Sequence, residues 1–217
     1  MIIADDFGES QNVDEAIIDL LQFDKIYGVS SFAIPKYSIK NSQFVNFCEV
    51  LKLSGVKIGL HYEWNGGSIY KSLKNQIETF YDHFGRLPDY IDSHLHIHSH
   101  LGFSTLFKNA YECICPSLPL RRTRQLQVVC DLSWSTAIKQ RFFNLFHCEC
   151  IENKSLYMND SLINIYSLKK MKDFQVLFEY YIKNNLDKDI FIIHPSLEKN
   201  SWKNEEYLFV AEYFKKI

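Results

Sequence analysis

The stretch Asp92-Ser93-His94-Leu95-His96-Ile97-His98-Ser99-His100 sets a carboxylate and then four imidazoles at every second position. In an extended chain alternate side chains share a face, so Asp92, His94, His96, His98 and His100 would all point one way. Neutral imidazole nitrogen and carboxylate oxygen are the usual ligands of a borderline divalent cation. One ion cannot take every group, because same-face neighbours step about 6–7 Å along a strand. Some of them must support the ligands or face a substrate.

A second chemical signal is Asp5-Asp6, followed by Gly8, whose freedom suits a turn. Two neighbouring carboxylates allow one to bind a cation while the other stays free as a base. A lone Asp-Asp pair is more often a helix cap or a solvated turn. Similarly, a lone His at a strand end, such as His61 or His194, is more often a hydrogen-bonded core residue than a ligand. His83 and His147 read as surface or structural residues. Position is what lifts the others: Asp5-Asp6, His61, His94 and His194 each end a predicted strand. In parallel α/β folds that is the face where sites are built.

The elements that must position these groups follow from apolar spacing. Strands are expected over 1–4, 27–34, 56–61, 88–94 and 189–193, with a further one at 117–120. Helical periodicity begins behind Asn12 and Glu15, whose spacing resembles a capping box, and returns around 44–51, 73–84, 103–113, 133–146 and 170–184 and from about 204. Gly85 is placed to cap the third helix. The stretch 147–167 reads as loop or short hairpin. Strand and helix alternate as in βα units around a mostly parallel sheet. There is no internal repeat, low-complexity tract or linker, so 1–217 reads as one domain.

At 217 residues, 47% hydrophobic and 23% charged, the chain has the length and composition for one substantial core. A formal net charge of −2 gives no reason to expect nucleic acid or an anionic membrane as partner. No signal-peptide pattern opens the sequence and no apolar run approaches a transmembrane segment, so a cytoplasmic protein is expected. Cys48, Cys113, Cys115, Cys130, Cys148 and Cys150 include two C-x-C pairs and no C-x-x-C. Neither a zinc ribbon nor a thioredoxin-type site is indicated, and reduced, structural thiols are the expectation.

Together these stretches resemble the YdjC-like carbohydrate deacetylase family, which includes chitooligosaccharide deacetylases and hopanoid-associated members. The resemblance is carried by Ala4-Asp5-Asp6-Phe7-Gly8, Gly59-Leu60-His61, Asp92-Ser93-His94-Leu95-His96-Ile97-His98, Leu120-Arg121 and His194-Pro195, in the family's order. It implies an α/β fold, a distorted (β/α) barrel of mostly parallel strands with its active site at their C-terminal ends. It also implies one divalent metal ion, Mg2+ or Zn2+, held by Asp6, His61 and His94. Asp5 would be the general base and His194 the general acid. Arg121 would contact substrate or orient the base, and His96 and His98 would line the site on the substrate side. The implied reaction removes the acetyl group from an N-acetylated amino sugar or oligosaccharide. The sequence departs from the family pattern at Ile3, at Tyr62-Glu63-Trp64, at Ser196 and across the region between Arg121 and Ser167.

Two other classes use the same residues. Another metallohydrolase, a phosphoesterase or cyclic amidase, would share the ligands, but one handling phosphate would be expected to add more Lys or Arg. A silent sugar- or metal-binding domain would need neither Asp5 as base nor His194 as acid. The sequence leaves homo-oligomerisation open.

Overall fold

Apolar runs of strand length alternate with amphipathic stretches, and each pair becomes one βα unit. The computed structural model describes residues 1–37, 42–126, 153–163 and 171–217, together with 138, 141, 142, 144, 145, 148 and 149. Its elements are β1 (Ile2–Phe7), α1 (Gln11–Leu21), β2 (Gly28–Ser31), α2 (Ser42–Ser54), β3 (Lys57–Tyr62), α3 (Ile69–Phe84), β4 (Ile91–Ser93), α4 (Ser104–Ile114), β5 (Ser161–Ile163), α5 (Met171–Asn184), β6 (Asp189–Ile193) and α6 (Trp202–Phe214).

The strands form one six-stranded sheet in the order β4-β3-β2-β1-β6-β5, and every neighbouring pair is parallel. The sheet curls into a half-barrel with helices outside, the fold class the resemblance implies. Its two edges are joined by the irregular segment 119–126. The Arg121 N–H donates to the Ile91 carbonyl at 2.9 Å, and the Leu126 N–H donates to the Leu162 carbonyl at 2.8 Å. The strand expected at 117–120 is reduced to isolated bridges from Leu120 to Ile91 and to Tyr157.

Strands covered on both faces read as continuous apolar runs, as residues 2–4 of β1 and 190–193 of β6 do. Their outward side chains join those of α1 to α6 in the main core, which includes Phe7, Ile17, Leu60, Phe80, Phe107, Phe178 and Phe191. A smaller cluster of Ile3, Tyr90, Leu162, Ile190 and Ile192 fills the barrel interior. Tyr90 occupies the space left by two glycines. A Cβ built on Gly28 would lie 3.2 Å from its hydroxyl, and one on Gly59 would lie 2.1 Å from its ring.

Three local expectations change. The N-cap of α1 is Ser10, whose hydroxyl accepts the Val13 N–H, while Asn12 lies inside the helix. The extended backbone at Ser10 aims its oxygen at the open N–H groups, so no Asn12–Glu15 box forms. The strand expected over 88–94 shrinks to Ile91–Ser93 and bends away immediately. Within 147–167 the described residues include a 3-10 turn, Lys154–Leu156, and β5. Most of the helix expected over 133–146 lies outside the described residues, as do His147, Cys130 and Cys150. Cys48, Cys113, Cys115 and Cys148 are free thiols. Among the described residues no helix is long and apolar enough to cross a membrane.

Candidate active site

Adjacent residues on a regular strand face opposite ways, yet Asp5 and Asp6 enter one site. The pairing of β1 with β2 slips between Ala4 and Phe7, and Asp6 has a left-handed φ of 72°. Such a bulge re-aims side chains, and Asp is among the few residues that tolerate this conformation. The turn is held from outside by α1. The buried Asp14 carboxylate accepts the Gly8 N–H at 2.6 Å and a hydrogen bond from the Tyr37 hydroxyl.

His61, on β3, is 2% exposed. Its Nδ1–H donates to Asp92 Oδ1 at 2.5 Å, because a carboxylate can only accept. That bond turns Nε2 toward Asp6 Oδ1, 3.4 Å away. A carboxylate fixing the far nitrogen of an imidazole is the usual way a metal-binding His is oriented. Asp92 itself sits directly opposite His61 in the β3–β4 register.

The five-group stripe expected along 92–100 does not form. The chain leaves β4 at Ser93 and turns into a 3-10 segment, His94–Ser99, with left-handed φ values of 55° at Leu95 and 54° at His96. A tight turn cannot keep the two-residue alternation of a strand, so the imidazoles are dealt to different places. His94 remains at the site, with Nδ1 3.5 Å from Asp6 Oδ1. His98 turns inward at 1% exposure. Its Nε2–H donates to the Arg121 carbonyl at 3.1 Å, and its Nδ1 accepts from Ser93 Oγ at 2.5 Å. His98 thereby bolts segment 119–126 to the end of β4. His96 is also buried, and its pKa lies well below the ordinary value because burial and then the Arg121 charge disfavour its protonated form.

Arg121 is 0% exposed, so its guanidinium has no free surface to offer a substrate. It donates to both oxygens of Asp5, at 2.6 and 2.8 Å, and lies 2.8 Å from Asp92 Oδ2. The two bonds fix the direction of the Asp5 carboxylate. Burial pushes the Asp5 pKa up, but Arg121 and His61 outweigh it and the net shift is downward.

His194 follows β6, and the first turn of α6 closes around it. Glu206 accepts the His194 backbone N–H at 2.8 Å and lies 3.8 Å from its Nδ1. The Trp202 ring meets the imidazole at a centroid distance of 5.4 Å. Burial lowers the His194 pKa, but Glu206 and then Asp6 and Asp5 more than offset it, leaving the pKa raised. Lys203 donates to Asp6 Oδ2 at 2.8 Å and also to Glu9.

Two groups of donor atoms here lie within 4.8 Å of one another: Asp6, His61 and His94, and Asp5, His61 and Asp92. Arg121 already supplies the cation for Asp5 and Asp92. The first group has the chemistry of a divalent ion's ligands, one carboxylate and two imidazoles. The separations of Asp6 Oδ1 from His61 and His94, 3.4 and 3.5 Å, match the roughly 3.3 Å expected between donors bonded tetrahedrally to one ion at about 2.0–2.1 Å. Burial lowers the His61 pKa, yet Asp92, Asp6 and Asp5 together push it up to about 10. The anions around this imidazole therefore call for a positive charge at the position an ion would take. The residues fit such an ion.

Sequence reasoning missed Asp92 as the orienter of His61, and missed Glu206, Trp202 and Lys203 altogether. Asp92 was visible as the first residue of the alternating run. The α6 residues carried no motif, since an N-terminal helical turn containing Trp, Lys and Glu is ordinary.

A parallel (β/α) half-barrel with carboxylates and imidazoles gathered at the strand ends defines the class of protein. The chain belongs to the YdjC-like protein family, whose sequence model matches residues 40–213. No curated protein matches the sequence. Among solved structures, a protein from Enterococcus faecalis V583, to which cleavage of cellobiose phosphate has been ascribed, superposes with a TM-score of 0.61 at 16% identity, over 100% of this chain and 92% of its own. The Xyl-CE4 domain of a multidomain xylanase from the hindgut metagenome of Trinervitermes trinervoides gives a TM-score of 0.46 at 13% identity, over 93% and 96% of the two chains. A family 4 acetyl xylan esterase from Clostridium thermocellum, in complex with a cobalt ion, gives 0.44 at 11%, over 88% of each.

Proposed function

We propose that this protein is a metal-dependent hydrolase that removes the acetyl group from an N-acetylated amino sugar, with Asp6, His61 and His94 as ligands. The observation that carries this reading is the division of labour between the neighbouring carboxylates. Asp6 turns Oδ1 toward two imidazoles, while both oxygens of Asp5 are occupied by Arg121. The sugar class follows from the likeness to YdjC-like carbohydrate deacetylases.

An amide is a poor electrophile and an amine a poor leaving group, so the site must activate water and supply a proton. Held by Asp6, His61 and His94, a divalent ion such as Mg2+ or Zn2+ would supply polarisation of the acetyl carbonyl and a lowered pKa for the attacking water. Asp5 takes that water's proton; Arg121 keeps the carboxylate ionised and fixed in direction. The charge of His194 acts on both Asp5 and Asp6 and lowers their pKa values. His194 donates a proton to the departing amine, and Glu206 keeps it protonated toward higher pH.

The test is acetate release from a series of N-acetylated sugars by apo, zinc-loaded and magnesium-loaded protein, with Asp5→Asn alongside. The variant is expected to bind metal normally and to lose about 10²–10⁴-fold in rate. Wild-type turnover by Asp5→Asn would remove Asp5 from the role of base. Release of acetate from none of the sugars would favour another metallohydrolase activity.

A further inference from the structure

Asp6 presents its two carboxylate oxygens to different partners. Oδ1 lies 3.4 Å from His61 Nε2 and 3.5 Å from His94 Nδ1. Oδ2 accepts from Lys203 Nζ at 2.8 Å, and the lysine side chain is only 16% exposed. Lys203 also donates to the Glu9 carboxylate, while the Glu9 N–H donates to the Asp6 carbonyl at 2.9 Å. The ammonium thus fastens both ends of the turn that follows β1. That turn contains the left-handed Asp6, a conformation that persists only when its surroundings hold it.

We propose that Lys203 is a positioning residue that presents Asp6 to a divalent ion through Oδ1 alone, a role that rests on the metal-dependent reading above. Carboxylate ligands are themselves hydrogen-bonded, and losing such a partner typically costs 10–100-fold in metal affinity. A lone ammonium this close to a dication would repel it. Glu9 cancels that charge, so the Lys203–Glu9 pair acts on Asp6 as a net-neutral donor. The pair also links α6, which carries the partners of His194, to the turn that carries Asp5 and Asp6.

The experiment is a zinc titration of the full chain in competition with a chromophoric chelator, comparing wild type, Lys203→Arg and the double variant Lys203→Met/Glu9→Gln. The double variant removes one charge of each sign, so net charge is unchanged while the Lys203 bonds to Asp6 and Glu9 are lost. It is expected to bind zinc about 10–100-fold more weakly, while Lys203→Arg, which keeps a donor, stays within a few-fold of wild type. Wild-type affinity in the double variant overturns the positioning role. Failure of the wild type to bind zinc overturns the metal reading, and this role with it. A thermal melt of each protein accompanies the titration. If the double variant is unfolded, Lys203→Ala/Glu9→Gln, which likewise has no donor at position 203, takes its place with the same expected loss.

Discussion

Arg121 grips Asp5 with two parallel hydrogen bonds of 2.6 and 2.8 Å, and the Nη1 that serves Asp5 Oδ1 also lies 2.8 Å from Asp92 Oδ2. Asp92 passes the contact on to His61, and His61 to Asp6. The proposed base and a proposed metal ligand are therefore two ends of one buried chain, Asp5–Arg121–Asp92–His61–Asp6. Groups in such a network are not independent, because each fixes the protonation and direction of the next.

Removing the cation at the centre of this chain takes both guanidinium hydrogen bonds from the buried Asp5 and leaves the buried Asp92 with His61 and Ser30 as its partners. Arg121→Met is expected to cost about 3–5 kcal/mol in stability, measured as the shift of a urea unfolding curve. Arg121→Lys keeps the charge but not the fork, so it should fold better than Arg121→Met while still slowing turnover. A wild-type unfolding midpoint for Arg121→Met would show that the network contributes little.

Glu206 is expected to set the alkaline limit of activity. It raises the His194 pKa against the lowering effect of burial, and a general acid works only while protonated. Glu206→Gln removes the charge and keeps an acceptor for the His194 N–H. The descending limb of kcat/KM against pH should move to lower pH. An unchanged limb would detach His194 from the proton transfer.

Much of this arrangement is legible in the sequence because apolar periodicity fixes where strands end. His61 and Asp189–Ile193 were placed on that basis, and so was the face on which the site lies. The alternation along 92–100 misled because period two holds only while the chain stays extended. Leu95 and His96 adopt left-handed backbone, which no residue type in that stretch announces. Lys203 and Glu206 act only through the packing of α6 against the turn after β1, a contact across almost the whole chain. Local pattern carries no information about such pairings.

Asp14 gives the turn that carries Asp5 and Asp6 a pH-dependent support. Burial raises its pKa from 3.8 to about 7, against the opposing hydrogen bonds from Gly8 and Tyr37. Between those values the folded chain holds a proton that the unfolded chain has released. Stability from this group is thus fully present below about pH 4 and is lost as pH rises through about 7. Asp14→Asn removes the titration and retains an acceptor for the Gly8 N–H. Relative to wild type it should become progressively more stable between about pH 4 and 8, on top of a constant loss of the Tyr37 bond. Parallel pH profiles for the two proteins in chemical denaturation would refute this.

Gly59 is where the barrel interior meets the site. A Cβ there would lie 2.1 Å from the Tyr90 ring, which is 1% exposed and cannot swing into solvent. The Tyr90 hydroxyl lies 3.0 Å from Ser30 Oγ, and Ser30 donates to Asp92 Oδ2 at 2.6 Å. Gly59→Ala should therefore cost about 1–3 kcal/mol by overpacking and also disturb the support of Asp92 and His61. A smaller side chain at position 90 makes room. Gly59→Ala in a Tyr90→Leu background should then cost clearly less than in wild type, a coupling that a double-mutant cycle reads directly. Simple additivity of the two changes would mean that the clash is relieved by backbone movement and that Tyr90 does not transmit it to the site.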